Sequence, residues 1–135
     1  MTVVRPSDGV SFSEAKWLRS LLSQERRPNL LVLCRGVEIE SVVTSLTGLC
    51  ARPVCARLLP VGRYLPSQRS GTLLLGDVAA LTPSQQIELY DWMSGRPADL
   101  QVVSVTSVPL LPLVENGRFL EGLFYRLNVV SVVAF

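Results

Sequence analysis

The stretch Gly117-Arg-Phe-Leu-Glu-Gly-Leu-Phe-Tyr-Arg-Leu-Asn-Val-Val130 decides the fold of this chain. After an opening glycine it reads as a helical segment over residues 119–127, followed by a β-rich run over 129–135. Just upstream, residues 110–116 read as a short helix and residues 100–105 as a strand. Thr82-Pro83 supplies an N-cap and a first-turn proline for a helix from 83 to about 94. Ile87, Leu89, Tyr90 and Met93 are available to pack that helix, and Gly95 ends it.

Further toward the N-terminus the same alternation continues. Residues 73–78 read as a strand entered through Gly71, residues 53–58 as another, and residues 60–70, with two prolines and a glycine, as the loop between them. Residues 38–49 repeat apolar side chains at Ile39, Val42, Val43, Leu46 and Leu49, which fits a helix. Gly36 marks the turn before it, and the continuous apolar run 29–34 has the pattern of a strand covered on both faces. A first helix over 13–26 places Ala15, Leu18, Leu21 and Leu22 on one face, takes Ser11 or Ser13 as N-cap, and stops at Pro28. Strands that alternate with helices predict an α/β fold, a mostly parallel sheet with helices on both faces. Ligands of such sheets bind at the carboxyl ends of the strands.

Composition limits what the chain can do. At 135 residues it is one domain, and 48% hydrophobic against 18% charged residues is enough apolar content to fold. Apolar runs are far shorter than the roughly 20 residues a bilayer demands. The N-terminus carries Arg5, Asp8 and Glu14 in place of a secretory signal, so a cytoplasmic location is expected. Cys34, Cys50 and Cys55 are odd in number, lack metal-ligand spacing and lie in or beside apolar segments, which predicts buried free thiols. The net charge of +2 comes from scattered arginines without a basic block, so neither direct DNA binding nor membrane attachment is expected. With no histidine, the commonest general base and metal ligand is missing.

The quoted stretch closely resembles the GxFREDLYYRLNVV segment in the central AAA+ domain of sigma-54-dependent bacterial transcription activators. Four further matches lie upstream in the same order. Residues 101–107 are similar to the family's sensor I strand, residues 71–77 to its Walker B strand GTLFLDE, and residues 31–36 to the strand that opens into Walker A, with 53–60 matching the second strand. The resemblance extends over roughly residues 9–133. It implies a three-layer P-loop NTPase (AAA+)-like core with a mostly parallel five-stranded sheet and the helical lid missing. It also implies a single sigma-54-activator-like domain over 1–135, without a receiver domain or a DNA-binding helix-turn-helix.

The same resemblance points to an ATP site whose residues are replaced. A P-loop turns successive backbone N–H groups onto phosphates and adds a lysine. The corresponding stretch begins Gly36, Val37, Glu38 and continues through Ser41 and Val42; it keeps one glycine and has no lysine. Glu38 and Glu40 place negative charge where a triphosphate lies, whereas against a helix N-terminus they are favourable. Gly76-Asp77 stands where the family has the Asp-Glu pair that organises Mg²⁺ and the attacking water. As an alternative, Asp77 caps a turn at the strand end. Thr106 and Ser107 keep polarity at sensor I but lose its amide. Of two family arginines that reach a neighbour's ATP, the first is Leu120 here and the second is kept as Arg126. The sigma-contacting GAFTGA insertion is absent, since only residues 61–70 separate the second and third strands.

These features predict a non-catalytic transcription-regulation module that needs no cofactor and binds either itself or an intact AAA+ activator. The alternative is a divergent ATP- and Mg²⁺-dependent subunit, or a mixed-ring partner that supplies Arg126 in trans. A third option is the receiver-like or inactive relic portion of a larger regulator, truncated or encoded separately.

Overall fold

The apolar run that opens the sheet explains the layering of the molecule. In a strand successive side chains point to opposite faces. Leu30, Val32 and Cys34 accordingly join one buried cluster, while Leu31 joins another on the opposite side. Both faces of this strand must therefore be covered, and a continuous apolar sequence is the result.

The computed structural model describes residues 2–4, 16–23, 27–62, 65–95 and 99–134. In chain order the elements are β1 (Thr2–Val4), α1 (Lys16–Ser23), β2 (Leu30–Cys34), α2 (Ile39–Thr47), β3 (Val54–Leu58) and β4 (Gly71–Gly76). A 3-10 turn (Val78–Ala80) follows, then α3 (Pro83–Gly95), β5 (Leu100–Thr106), α4 (Leu111–Glu115), α5 (Glu121–Leu127) and β6 (Val130–Ala134). The strands form one sheet in the order β1-β6-β2-β5-β4-β3, and every neighbouring pair is parallel. The five expected strands are all present, and Thr2–Val4 adds a sixth at the edge beside β6.

One face of the sheet is covered by α1 and α2, whose Leu18, Leu22, Val42 and Leu46 pack on Leu74, Val103, Val105 and Val132. The other is covered by α3 and α5, whose Leu89, Met93, Leu123 and Leu127 pack on Leu31, Leu73, Leu75 and Val102. The central strand β5 is buried along its whole length. The connection from β3 to β4 has no helix among its described residues; it crosses the α3 side by packing Leu59, Val61 and Leu65 into that core. Its twelve residues, 59–70, match the dozen or so that a parallel crossover requires. Gly71 closes this connection at φ 92, and a Cβ there would stand 2.1 Å from the Pro53 carbonyl oxygen, so only glycine fits.

Two readings of the sequence need correction. The strand expected over 73–78 ends at Gly76, because Asp77 adopts a left-handed conformation (φ 66) that breaks the extended chain before Val78. On α3, Ile87 does not pack inward; it is 55% exposed, and its neighbour Gln86 is buried instead. The expected caps Ser11 and Ser13, together with Ala15, Arg26, Phe135 and the N-terminal charges Arg5, Asp8 and Glu14, lie outside the described residues. Among the described residues no helix is long and apolar enough to cross a membrane.

Candidate functional site

Strand β2 sits between β5 and β6, yet the chain leaves it for β3 at the far edge of the sheet. This reversal of strand order makes a crevice at the carboxyl ends of β2 and β5, the place where open α/β sheets hold ligands. A cleft of about 750 Å³ lies there, lined by Cys34, Arg35, Gly36, Val37, Glu38 and Ser107 among others. The Arg35 backbone N–H donates to the Ala134 carbonyl at 2.8 Å and ties this corner to β6.

Only residues 35–38 separate β2 from α2. A phosphate-cradling loop of the G-x-x-x-x-G-K-[ST] kind needs several backbone N–H groups turned inward. Here Gly36 (φ 69) is the one left-handed residue, and Glu38 is already extended (φ −68, ψ 138) as the residue before the helix. The Glu38 carboxylate makes no capping hydrogen bond, and Glu40 adds a second acid in the first turn. Both are exposed, and Glu38 also lines the cleft. Of the other residues expected here, Ser41 is exposed on the helix, whereas Val42 is buried in the core beneath and cannot meet a ligand.

At the end of β4, Gly76 is enclosed by apolar groups. A Cβ there would meet Leu58 Cδ2 at 2.7 Å, Val43 Cγ2 at 3.0 Å and Ile39 Cγ2 at 3.3 Å. The first atom of any side chain at 76 is thus crowded by three hydrocarbon tips. These residues do not fit Mg²⁺, which takes oxygen ligands. Asp77 begins the 3-10 turn through its backbone: its carbonyl accepts from the Ala80 N–H at 2.9 Å and its N–H donates to Val105 O at 2.8 Å. Its carboxylate does not cap the turn. That departs from the expected side-chain cap, because the left-handed backbone makes the turn without it.

Thr106 is buried, and its hydroxyl closes a local turn by donating to Val108 O at 2.7 Å and accepting from Val108 N at 3.2 Å. Its neighbour Ser107 is exposed and lines the cleft. The carboxyl end of β5 therefore presents one hydroxyl to the cleft, with the other engaged in the turn.

Arg126 belongs to a different surface, between α5 and α3. Its guanidinium carbon lies 4.1 Å from the centre of the Tyr90 ring, and Nη1 donates to Ser94 Oγ at 2.5 Å and approaches Tyr90 O at 3.5 Å. Gly122, one turn earlier, makes room for the same ring; a Cβ there would stand 2.9 Å from Tyr90 Cε2. The arginine is thus stacked on its own chain, an arrangement a cation and an aromatic face favour.

Two buried amides that the sequence did not single out position this surface. Gln86 donates through Nε2 to the carbonyls of Leu81 and Arg118 (both 3.1 Å) and accepts from the Leu120 N–H at 2.8 Å. Asn29 donates to Arg126 O at 2.9 Å and accepts from the Val102 N–H at 3.0 Å, joining the start of β2 to α5 and β5. A polar residue inside an otherwise helical or apolar pattern carries no signal of its depth, so neither was legible beforehand. The three cysteines are free and buried. Burial pushes the Cys34 thiol up to about 11. Burial likewise pushes Cys50 up to about 12 against smaller lowering effects from Thr72 and Arg27.

A family profile described as Sigma-54 interaction domain matches residues 43–133. The chain is 35% identical over 80 residues to the pathogenicity locus probable regulatory protein HrpR of Pseudomonas syringae pv. syringae, covering 51% of this chain and 26% of that one. It is 26% identical over 129 residues to the sigma54-dependent transcriptional regulator SfnR of Pseudomonas fluorescens, covering 87% of this chain and 35% of the relative. It therefore spans about a quarter to a third of these relatives. Among solved structures, NtrX from Brucella abortus aligns with a TM-score of 0.65 at 18% identity, covering 94% of this chain and 37% of NtrX. That likeness supports the AAA+ fold.

Proposed function

The chain belongs to the sigma-54 interaction domain family, and from that premise we propose that it is a non-catalytic, cytoplasmic transcription-regulation module that acts by binding protein. The observation that carries this reading is the apolar packing around Gly76, a position without a side chain where Leu58, Val43 and Ile39 crowd the place of a Cβ. Phosphoryl transfer depends on a metal held against the phosphates and on a positioned water. Glu38 at the end of the short loop over 35–38, with Glu40 in the first turn of α2, adds negative charge where phosphate charge would have to be neutralised. Its partner is a second copy or an intact AAA+ activator, and no cofactor takes part.

Calorimetric titration of the chain with ATP and Mg²⁺ tests the reading directly. No heat beyond dilution is expected. Saturable binding with a Kd in the range of about 1 μM, equivalent to about −8 kcal/mol, overturns it. In the alternative mixed ring Arg126 reaches a neighbour's phosphate, and to do so the guanidinium must leave Tyr90 and Ser94. Under the proposed reading, Arg126→Ala leaves a partner's ATP turnover unchanged; a fall of the size an arginine finger controls, about 10³-fold or more, favours the ring.

A further inference from the structure

On the α5 side of the sheet, strands β2 and β6, the start of α4 and the end of α5 enclose a hollow of about 400 Å³, a size that holds a small molecule. Leu31, Leu33 and Val133 line it from the strands, and Phe124 and Tyr125 line it from the helix. Those two rings meet edge to face, their centroids 5.4 Å apart. Phe124 is buried, whereas Tyr125 is 56% exposed and forms the rim. No charged residue lines the hollow, in contrast to the strand-end cleft with its Arg35 and Glu38. Its walls also hold hydrogen-bonding capacity that the chain leaves unused. The Thr106 hydroxyl is spent on Val108. Ser131 donates its proton to Asn128 Oδ1, so the serine oxygen remains an acceptor. Ser104 lies opposite Leu31 in the β2–β5 register, on the same face of β5 as Thr106. It is fully buried, and its hydroxyl has no hydrogen-bond partner among the described residues, although buried hydroxyls are ordinarily paired.

We propose that this hollow is a binding site for a neutral aromatic molecule that carries a hydrogen-bond donor, such as a phenol or an indole. The lining selects each part of that description. Without a charge in the walls, an ionised ligand gives up its hydration with nothing to replace it, so nucleotides, carboxylates and ammonium groups are disfavoured. Apolar walls closed by two rings suit a flat ring, which meets Phe124 and Tyr125 in the offset or edge-to-face geometry that aromatic pairs prefer. The acceptor oxygen of Ser131 calls for a donor on the ligand. A recess of this volume takes one ring system, whereas a docked helix or strand needs an extended groove or a sheet edge. Leu33 and Pro109 line both this hollow and the strand-end cleft, so the two sites share a wall. The inference goes beyond the reading that the chain acts by binding protein and does not depend on it.

Methyl NMR of the full chain titrated with indole tests it. Saturable shifts are expected at the Leu31, Leu33 and Val133 methyls, with a Kd of about 1 mM or below. The methyls of Val37 in the strand-end cleft, and of Val42 and Leu46 on the opposite face of the sheet, stay in place. 1-Methylindole, which lacks the donor, binds about threefold or more weakly than indole. Indole-3-acetate, which adds a charge, binds about tenfold or more weakly. Ser131→Ala lowers the affinity for indole and leaves that for 1-methylindole unchanged, a difference that loss of packing does not reproduce. Tyr125→Ala, at an exposed position, weakens both. Circular dichroism checks that each variant keeps its fold. The inference is overturned by no saturable shift up to the solubility of indole, by shifts centred on Val37, or by equal affinities for the three compounds. It is also overturned if the hollow's methyls shift with protein concentration in the absence of indole, because a second copy then covers it.

Discussion

Gln86 occupies a buried position on α3 that periodicity assigns to an apolar residue, and its amide makes three hydrogen bonds to backbone groups of two loops. Gln86→Leu keeps the shape but strands those backbone groups. It is expected to cost about 2–4 kcal/mol, read as a lower urea midpoint with an unchanged slope. The cysteines are simpler. Their expected state as buried thiols is what the structure contains. The folded values of about 11 for Cys34 and about 12 for Cys50 exceed the ordinary 9.0, so the folded chain holds protons that the unfolded chain releases. The associated stability is fully present below about pH 9 and is lost as pH rises toward 11–12. Urea midpoints measured across that window are expected to fall more steeply for the parent chain than for Cys50→Ala; equal slopes overturn the assignment.

Elements were legible where a local signal and the tertiary contact agree. Thr82-Pro83 announces the start of α3, and the structure forms the full capping box: Gln85 N–H donates to Thr82 Oγ1 at 3.2 Å while Thr82 N–H donates to Gln85 Oε1 at 3.0 Å. Thr82→Ala is expected to lower stability by about 1 kcal/mol, detectable in thermal unfolding. The run 119–127 gave helix α5, with Leu123, Phe124 and Leu127 buried. What spacing could not convey is which side of a mixed helix faces inward. On α3 the inward positions are Gln86, Leu89 and Met93, three and four residues apart, and this stripe leaves Ile87 outside despite its chemistry. The edge strand β1 was likewise illegible, since three residues are too few for period-two alternation to register.

For the whole molecule, topology was the most readable property and the site the least. Parallel order follows from alternating strands and helices, because each parallel pair needs a crossover. The replaced residues were visible as letters: Gly76 lacks a carboxylate whatever surrounds it. Their surroundings were not visible. That Val42 is core, that Thr106 spends its hydroxyl on Val108, and that Arg126 stacks on Tyr90 are long-range or local-turn facts that no single position carries.

The packing at Gly76 has a consequence for substitution. Leu58, Val43 and Ile39 crowd the place a Cβ would take there. Gly76→Asp is expected to bury a carboxylate among hydrocarbon, to lower the thermal midpoint and to yield no ATP turnover; hydrolysis by this variant would contradict the account. The tight neighbours of such a side chain are the tip of Leu58, which is 43% exposed and has solvent to turn into, and Val43, which is buried in the core. Position 76 therefore ties what the end of β4 can carry to the size of the α2 side chain that lies over it.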